Sequence, residues 1–416
     1  MERRTFLKIL SSAGIVSLVS PTFAMEVCKN KMSKSSSALL ESAFRNPPFS
    51  SGVYTWWHWM NGNITKDGIT RDLEAMKANG IAGYQLFEAG SGIPIGPVES
   101  LSDEWVDLIL HTLKESERLG LEFAMHNCPG WSSSGGPWIT PDKAMQIITW
   151  SETKITGGKQ VRIQLPTPKH MFDYYIDTYC LAIPANMKVI PRLSILELSN
   201  RLDKDGVLTW DVPTGEWLIM RFGQTAKDQK NKSAPSKSTG LDCDKFSTEA
   251  LDYHLNCMFK RLMPAMEKIA KHSKIGLLID SYETGDQDWT SDMPAYFEQS
   301  HGYELYPFLP VLANKIVESE ESTKRFLFDF RRVRADMFAE RYYGHFQKRC
   351  KEKGIITYTE PYGGNMMEEL QVAQQLDINM GEFWCGQTVL WANYKYNRTV
   401  KQVASIAHTL GGKVVG

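Results

Sequence analysis

Three glutamates in this chain follow short apolar runs. Glu283 comes after Ile275–Ile279 and Asp280, Glu360 directly after Ile355–Thr359, and Glu382 lies within Asn379–Phe383. A carboxylate at the end of a buried strand is partly stripped of water, which is costly unless pairing or function compensates it. Hydrolysis of a glycosidic bond needs two such groups: one protonated, to hand a proton to the leaving oxygen, and one ionised, to activate water or to attack. For any single one of them the alternative is a helix-capping or ion-paired acid, and that alternative must be invoked three times to remove the pattern. Trp57, Trp131 and Trp384 lie near these strand ends and offer flat faces to the C–H surface of a sugar. His58, Asn61, Asn127, Asp280 and Tyr282 also follow or end apolar runs and complete the candidate substrate contacts.

Carboxylates, Asn side chains and sugar hydroxyls together also suit Ca2+, which takes about six to eight oxygen ligands. Other chemistries find no support. The 9 histidines form no HExxH pair, no GxSxG is present, Gly135-Gly136 lacks the lysine of a phosphate-binding loop, and the dinucleotide fingerprint is absent.

The candidate residues are spaced as alternating strands and helices would space them. Strands are predicted at Val53–Trp59, Ile81–Phe87, Leu121–His126, Ile275–Asp280, Ile355–Thr359, Asn379–Phe383 and Gly412–Gly416. Between them Ile69, Leu73 and Met76, then Val106, Ile109, Leu110 and Leu113, recur at helical period, and Asn79-Gly80 and Gly120 close those helices. Ser247 is placed to cap a helix carrying Leu251, Leu255, Met258 and Leu262 inward, and a long helix is expected from Glu321 to Lys353. Residues 150–224 break the rhythm with period-two alternation (Val161, Ile163, Leu165; Leu208, Trp210, Val212), so a β-rich domain is inserted there. Residues 226–240, rich in Lys and Ser, read as a solvated loop. The fold class is therefore α/β: a TIM-type (β/α)8 barrel in two parts, 45–149 and 225–416, around the insertion. With seven predicted strands against the eight such a barrel needs, it is expected to be incomplete at its C-terminal end. Barrel active sites lie at the C-terminal strand ends, where the three glutamates fall.

Residues 1–24 read as a twin-arginine-type signal peptide, with Arg3-Arg4 before Phe6-Leu7-Lys8, an apolar stretch over 9–19, and Thr22-Phe23-Ala24 at the cleavage side. The expected location is the periplasm, or otherwise outside the cytoplasm. The apolar stretch is shorter than the roughly 20 residues of a membrane span, so none is expected after signal removal, and residues 25–44 read as a flexible leader. A formal net charge of −1 over 416 residues does nothing to attract nucleic acid or anionic lipid. The 12 Trp and 16 Tyr suit sugar stacking as well as a large core, so an oligo- or polysaccharide is the expected partner. The 7 cysteines match no CxxC or zinc spacing, and their odd number leaves at least one thiol free.

With these residues placed, the sequence resembles glycoside hydrolase family 106, the α-L-rhamnosidases. The stretches that carry the resemblance are Trp56–Asn63 (WWHWMNGN), Gly130–Trp138 (GWSSSGGPW), Asp280–Glu283 (DSYE), Thr359–Gly363 (TEPYG) and Gly381–Trp384 (GEFW), in order along residues 45–416. The resemblance implies a barrel with an inserted β domain and inverting hydrolysis of terminal α-L-rhamnosyl residues of plant or microbial polysaccharide, with calcium contacting the sugar. By motif, Glu283 would be the general acid and Glu382 the general base, with Glu360 a calcium ligand or third active-site carboxylate. Family members continue well past the position of Gly416, so a fragment with impaired activity is expected. Two other readings stay open. One is a barrel glycosidase for another deoxysugar or a uronide, separable by the sugar that is cleaved. The other is a non-catalytic carbohydrate-binding relic, separable by whether Glu283→Gln or Glu382→Gln abolishes turnover.

Overall fold

The computed structural model describes residues 34–132, 134–383, 390–411 and 414–416. The signal peptide expected over residues 1–24 and the expected sugar contact Trp384 lie outside the described residues. Among those described, a parallel sheet of seven strands runs in chain order: β1 Val53–Met60, β2 Ile81–Ala89, β3 Glu122–His126, β4 Ile275–Ile279, β5 Ile356–Thr359, β6 Ile378–Asn379 and β7 Val414–Val415. Each strand pairs with the next in sequence. Parallel pairing gathers all their C-terminal ends on one edge. The sheet is rolled. Gln85 of β2 donates to Met380 Sδ, just past β6, at 3.0 Å, and Phe87, Ala124, Leu278 and Tyr358 of β2 to β5 form one apolar cluster on the concave face.

Local chemistry explains these elements. All five residues of β4, IGLLI, are buried, as expected of a parallel strand covered on both faces. Along β1 the side chains alternate: Trp57 and Trp59 are buried in the main core with Ile69 and Leu73 of the following helix, while Trp56 and His58 face the concave side. That helix, Lys66–Ala78, is capped by Thr65, and Asp103–Leu119 by Ser102, with left-handed Gly120 at its end. Ser247 caps Thr248–Phe259 as expected, accepting from the Ala250 N–H. Each buried Leu, Ile or Val contributes about 1.5–3 kcal/mol, so the apolar stripes hold these helices against the sheet.

The leader differs from expectation: it is helical over Lys34–Arg45, where Ala38-Leu39-Leu40-Glu41 supplies good helix formers behind a serine run. The long helix expected from Glu321 to Lys353 is interrupted. It comprises Glu320–Met337, a π-helical Phe338–Gly344 and His345–Lys351. The wider turn carries the buried Tyr342, whose hydroxyl meets Ser134 Oγ at 2.5 Å.

Between β3 and β4, strands Gln146–Thr156, Ile176–Pro184, Leu196–Glu197 and Glu216–Ala226 form an antiparallel sheet, and Lys159–Gln164 pairs with Val207–Val212. This is the β-rich segment expected over 150–224, extended slightly at both ends. The chain leaving it is solvated only in part: Lys230, Lys232, Ser236 and Lys237 are exposed, but the backbone between them is packed down. Asn231, Pro235 and Ser238 are buried. Asn231 Nδ2 donates to the carbonyls of Pro129 at 2.9 Å and Ser238 at 3.1 Å, and the Gly90 N–H donates to the Ser233 carbonyl at 2.7 Å. Its polar groups are used on backbone partners, which composition cannot reveal.

Candidate active site

At the C-terminal edge of the rolled sheet lies a cavity of about 650 Å3. One wall is aromatic: Trp56 and His58 from β1, Phe87 from β2 and Trp131 from the loop after β3. His58 stacks on Phe87 with ring centroids 5.5 Å apart, and Trp56 tilts against the same ring at 5.4 Å. Burial lowers the His58 pKa, so the imidazole is neutral at pH 7 and the wall carries no charge.

The facing wall is acidic. Asp280 and Glu283 follow β4, Glu360 and Tyr362 follow β5, and Glu382 follows β6. The loops are laced together by backbone bonds: Glu283 N–H to the Ser132 carbonyl at 3.1 Å, and Tyr282 N–H to the Tyr362 carbonyl at 2.8 Å. Gly363, at φ 116°, lets the β5 loop close on the β4 loop, since a Cβ there would lie 2.4 Å from the Tyr282 carbonyl oxygen. The Glu283 carboxylate is exposed to the cavity and accepts from Ser281 Oγ at 3.2 Å. The Tyr362 hydroxyl reaches Glu382 Oε2 at 2.7 Å and also contacts Glu360. A phenol carries one proton, so it donates to one carboxylate at a time. Burial, with the charge of Glu360 adding, raises the Tyr362 pKa and keeps that proton in place.

Burial pushes Glu360 up to about 7, opposed by the Tyr362 hydrogen bond and reinforced by the charges of Glu382 and Glu283. Burial also raises Asp280 well above the carboxylate range, with the Glu360 charge next in size. Asp280 and Glu360 lie close enough to shift each other's titration, while Asp280 Oδ1 has no partner among the described residues. Two acids in this relation titrate as a pair, and near neutrality the pair retains a proton. The cavity thus sets a proton reservoir beside cavity-facing acids and opposite apolar ring faces, which suits acid–base chemistry on a sugar-sized substrate.

A family model for glycoside hydrolase family 106, alpha-L-rhamnosidase, matches residues 45–177 and 169–416. The chain belongs to this family. A putative beta-glucuronidase of Formosa agariphila is 41% identical, in a match covering 91% of this chain and 34% of that relative. The solved rhamnosidase of Novosphingobium sp. PP1Y has the same fold, with a TM-score of 0.82 at 24% identity over 90% of this chain and 52% of that one. The chain therefore spans about a third of the first protein's length and about half of the second's.

The family 106 stretches reach the cavity unevenly. His58, Trp131, Asp280, Glu283, Glu360 and Glu382 line it. Tyr282 lines it too, although its ring packs on Phe338 at 5.0 Å and its hydroxyl is bound to the Gly285 carbonyl at 2.8 Å. Three expected contacts do not line it. Trp57 points into the helix layer, where Nε1 donates to Asp72 at 3.1 Å and the ring packs on Trp59 and Tyr84. Asn61, at φ 51°, holds the loop after β1 through a 2.7 Å bond to the Ile93 carbonyl. Asn127 is a buried brace between β3 and β4, donating to the Leu278 carbonyl at 2.9 Å and accepting from Ser134 Oγ. Trp56, Phe87 and Lys232 line the cavity without having been singled out, and Tyr362 lines it beside Glu360. Strand alternation could have found Trp56, because His58 and Trp56 must share a face. No local signal marks Lys232.

Proposed function

We propose that this chain carries the active site of an exported, inverting glycoside hydrolase that removes terminal α-L-rhamnosyl residues from plant or microbial oligo- and polysaccharides. The observation behind it is the convergence of acids from three neighbouring strand ends on one aromatic-walled cavity, in a chain of family 106. The sugar ring rests on Trp56 and Trp131. Glu283 gives its proton to the glycosidic oxygen as the bond to the anomeric carbon breaks. Glu382 takes a proton from the water that attacks that carbon on the opposite face, so the released sugar has inverted configuration. The Tyr362 hydroxyl, 2.7 Å from Glu382 Oε2, orients that carboxylate.

The rolled sheet is part of a (β/α)8 barrel in this reading. Residues of β1 and β7, with Tyr358 of β5 and Lys274, line one cavity of about 550 Å3 at the N-terminal side of the sheet, so the two edge strands face a common space. The β-rich segment is its inserted domain. Calcium belongs to the same reading. Glu360 and Asp280, oxygen donors of the right kind, would hold it, and Asp280 Oδ1 is buried without a hydrogen-bond partner among the described residues. No three His, Cys, Asp or Glu side chains converge as metal ligands among the described residues, so sugar hydroxyls and water would supply most of the ligands. Its charge would hold those two ligand carboxyls ionised and orient the sugar; no proton step depends on it.

The test is hydrolysis of 4-nitrophenyl α-L-rhamnoside, with and without added Ca2+, while proton NMR follows the anomeric configuration of the first product. Inverted product and its loss in Glu283→Gln are expected. Retained configuration would overturn the mechanism. The name of the 41%-identical relative makes a glucuronide the second reading. Preferential cleavage of 4-nitrophenyl β-D-glucuronide would replace the sugar assignment while leaving two-carboxylate chemistry in place.

A further inference from the structure

Lys232 enters the active cavity from the chain that leaves the β-rich segment. The geometry points to a specificity role: we propose that Lys232 recognises an acidic group, carboxylate or sulfate ester, on the sugar that leaves when the glycosidic bond breaks. The proposal rests on the glycosidase reading above.

Three observations carry it. First, the lysine is built in. Its N–H donates to Ser132 Oγ at 2.9 Å, its carbonyl accepts from the Trp131 N–H at 3.4 Å, and the next residue, Ser233, takes φ 61° while its carbonyl binds the Gly90 N–H. Gly130 permits this docking, because a Cβ there would lie 2.0 Å from the Lys232 carbonyl oxygen. Strained, latched backbone of this kind is typical of residues that present a side chain to a ligand. Second, Lys232 is the cation in a cavity lined by four carboxyl groups, since His58 is neutral. Among the described residues, no acid forms an ion pair with its ammonium. The ionised carboxyls among them repel an anionic glycan, and a neutral sugar needs hydrogen bonds and stacking but no cation. A lysine held at the wall and not taken up by those acids is what an acidic glycan requires. Third, Lys232 and Glu283 are tethered to one residue: Ser132 Oγ accepts from Lys232 N–H and the Ser132 carbonyl from Glu283 N–H. The Lys232 backbone is therefore anchored beside that of the assigned proton donor, on the side where the leaving sugar lies.

The experiment compares the full chain with Lys232→Met and Lys232→Arg on three substrates: α-L-rhamnosyl-D-glucuronate, its D-glucose counterpart, and the 6-sulfate of that glucose. In the wild type, kcat/KM for an acidic substrate should exceed that for the glucose compound by roughly ten- to a hundredfold, the size of a hydrogen bond to a charged group. Lys232→Met should erase the ratio, Lys232→Arg should keep most of it, and added salt should lower it in the wild type. Loss on the glucuronate alone, or on the sulfate alone, identifies the source of the anion. An equal fall on all three substrates, or a displaced pH optimum on the glucose compound with the ratio unchanged, overturns the proposal and makes Lys232 a counterweight to the acids. Should no rhamnoside be cleaved at all, the glycosidase reading fails by itself, and thermal-shift binding of the glucuronate and glucose disaccharides still tests the lysine. Preferential cleavage of aryl β-D-glucuronide would place the acid on the released sugar and overturn the assignment to the leaving side.

Discussion

The molecule buries acids in two places and treats them differently. Where the β-rich segment returns to the sheet, Asp242 and Asp244 flank the fully buried Lys245. The Lys245 ammonium donates to Asp242, to the carbonyls of Ser134 at 3.1 Å and Cys243 at 3.0 Å, and lies 5.0 Å from the Tyr342 ring centroid. Asp244 accepts from Gln287, from Thr290 Oγ1 at 2.8 Å and from the Phe246 N–H at 2.7 Å. In the cavity, Asp280 and Glu360 are as deeply buried, but among the described residues Glu360 has only the Tyr362 hydroxyl as a donor, and each acid faces the other and further acids close by. Burial alone does not mark a working acid: it raises Asp244 to about 6 and Glu360 to about 7. The difference lies in what surrounds them. An acid given a cation and several donors is locked, and one facing like charges and an open cavity can exchange its proton.

The contrast can be broken most severely at the cavity. Glu283→Gln and Glu382→Gln are each expected to lower kcat by about 10^2- to 10^4-fold, with thermal melting unchanged; a melting loss with activity kept would reverse the two regions' roles. The opposite signature is expected at the other cluster. Lys245→Met leaves Asp242 uncompensated and should cost about 3–5 kcal/mol in urea denaturation, and combining it with Asp242→Asn should restore much of that. Glu360→Gln sharpens the comparison through pH. Folded Glu360 holds its proton up to about pH 7, whereas the unfolded carboxyl loses it near 4.5. Its stabilising contribution is thus whole below pH 4.5 and is lost as pH rises through 7. The glutamine variant should flatten that fall by up to on the order of 3 kcal/mol between pH 5 and 8, read by urea denaturation at the two ends. The smallest effect is expected for Tyr362→Phe. Removing a hydrogen bond that lowers the Glu360 pKa should move that group's titration upward, displacing the limb it controls in the pH profile of kcat/KM, with a loss of about tenfold at neutral pH.

The element order was legible because hydrophobic period is a local property. Val53–Trp59 is a short aromatic, β-prone run, Ile275–Ile279 is continuously apolar, and Ser102, Ser247 and Gly120 punctuate the helices where they stand. The acids at the strand ends were legible for the same reason. The aromatic contacts were less so. Trp57 was expected to meet the sugar, but its neighbour Trp56 lines the cavity, and only the direction of β1's buried face separates the two. Asn61 and Asn127 looked like sugar ligands but satisfy the backbone, a use that depends on carbonyls 32 and 151 residues away.

What the sequence determined by itself is the alternation of strands and helices and, with it, the gathering of Asp280, Glu283, Glu360 and Glu382 toward one edge of a parallel sheet. Parallel pairing requires that geometry whatever the loops do. Tertiary structure decided which of those groups is desolvated, that one tyrosine serves two carboxylates, and that a loop of ordinary polar composition is latched down to bring Lys232 among them. Each of those depends on neighbours remote in the chain, and the field at a carboxyl is the sum over its neighbours in space.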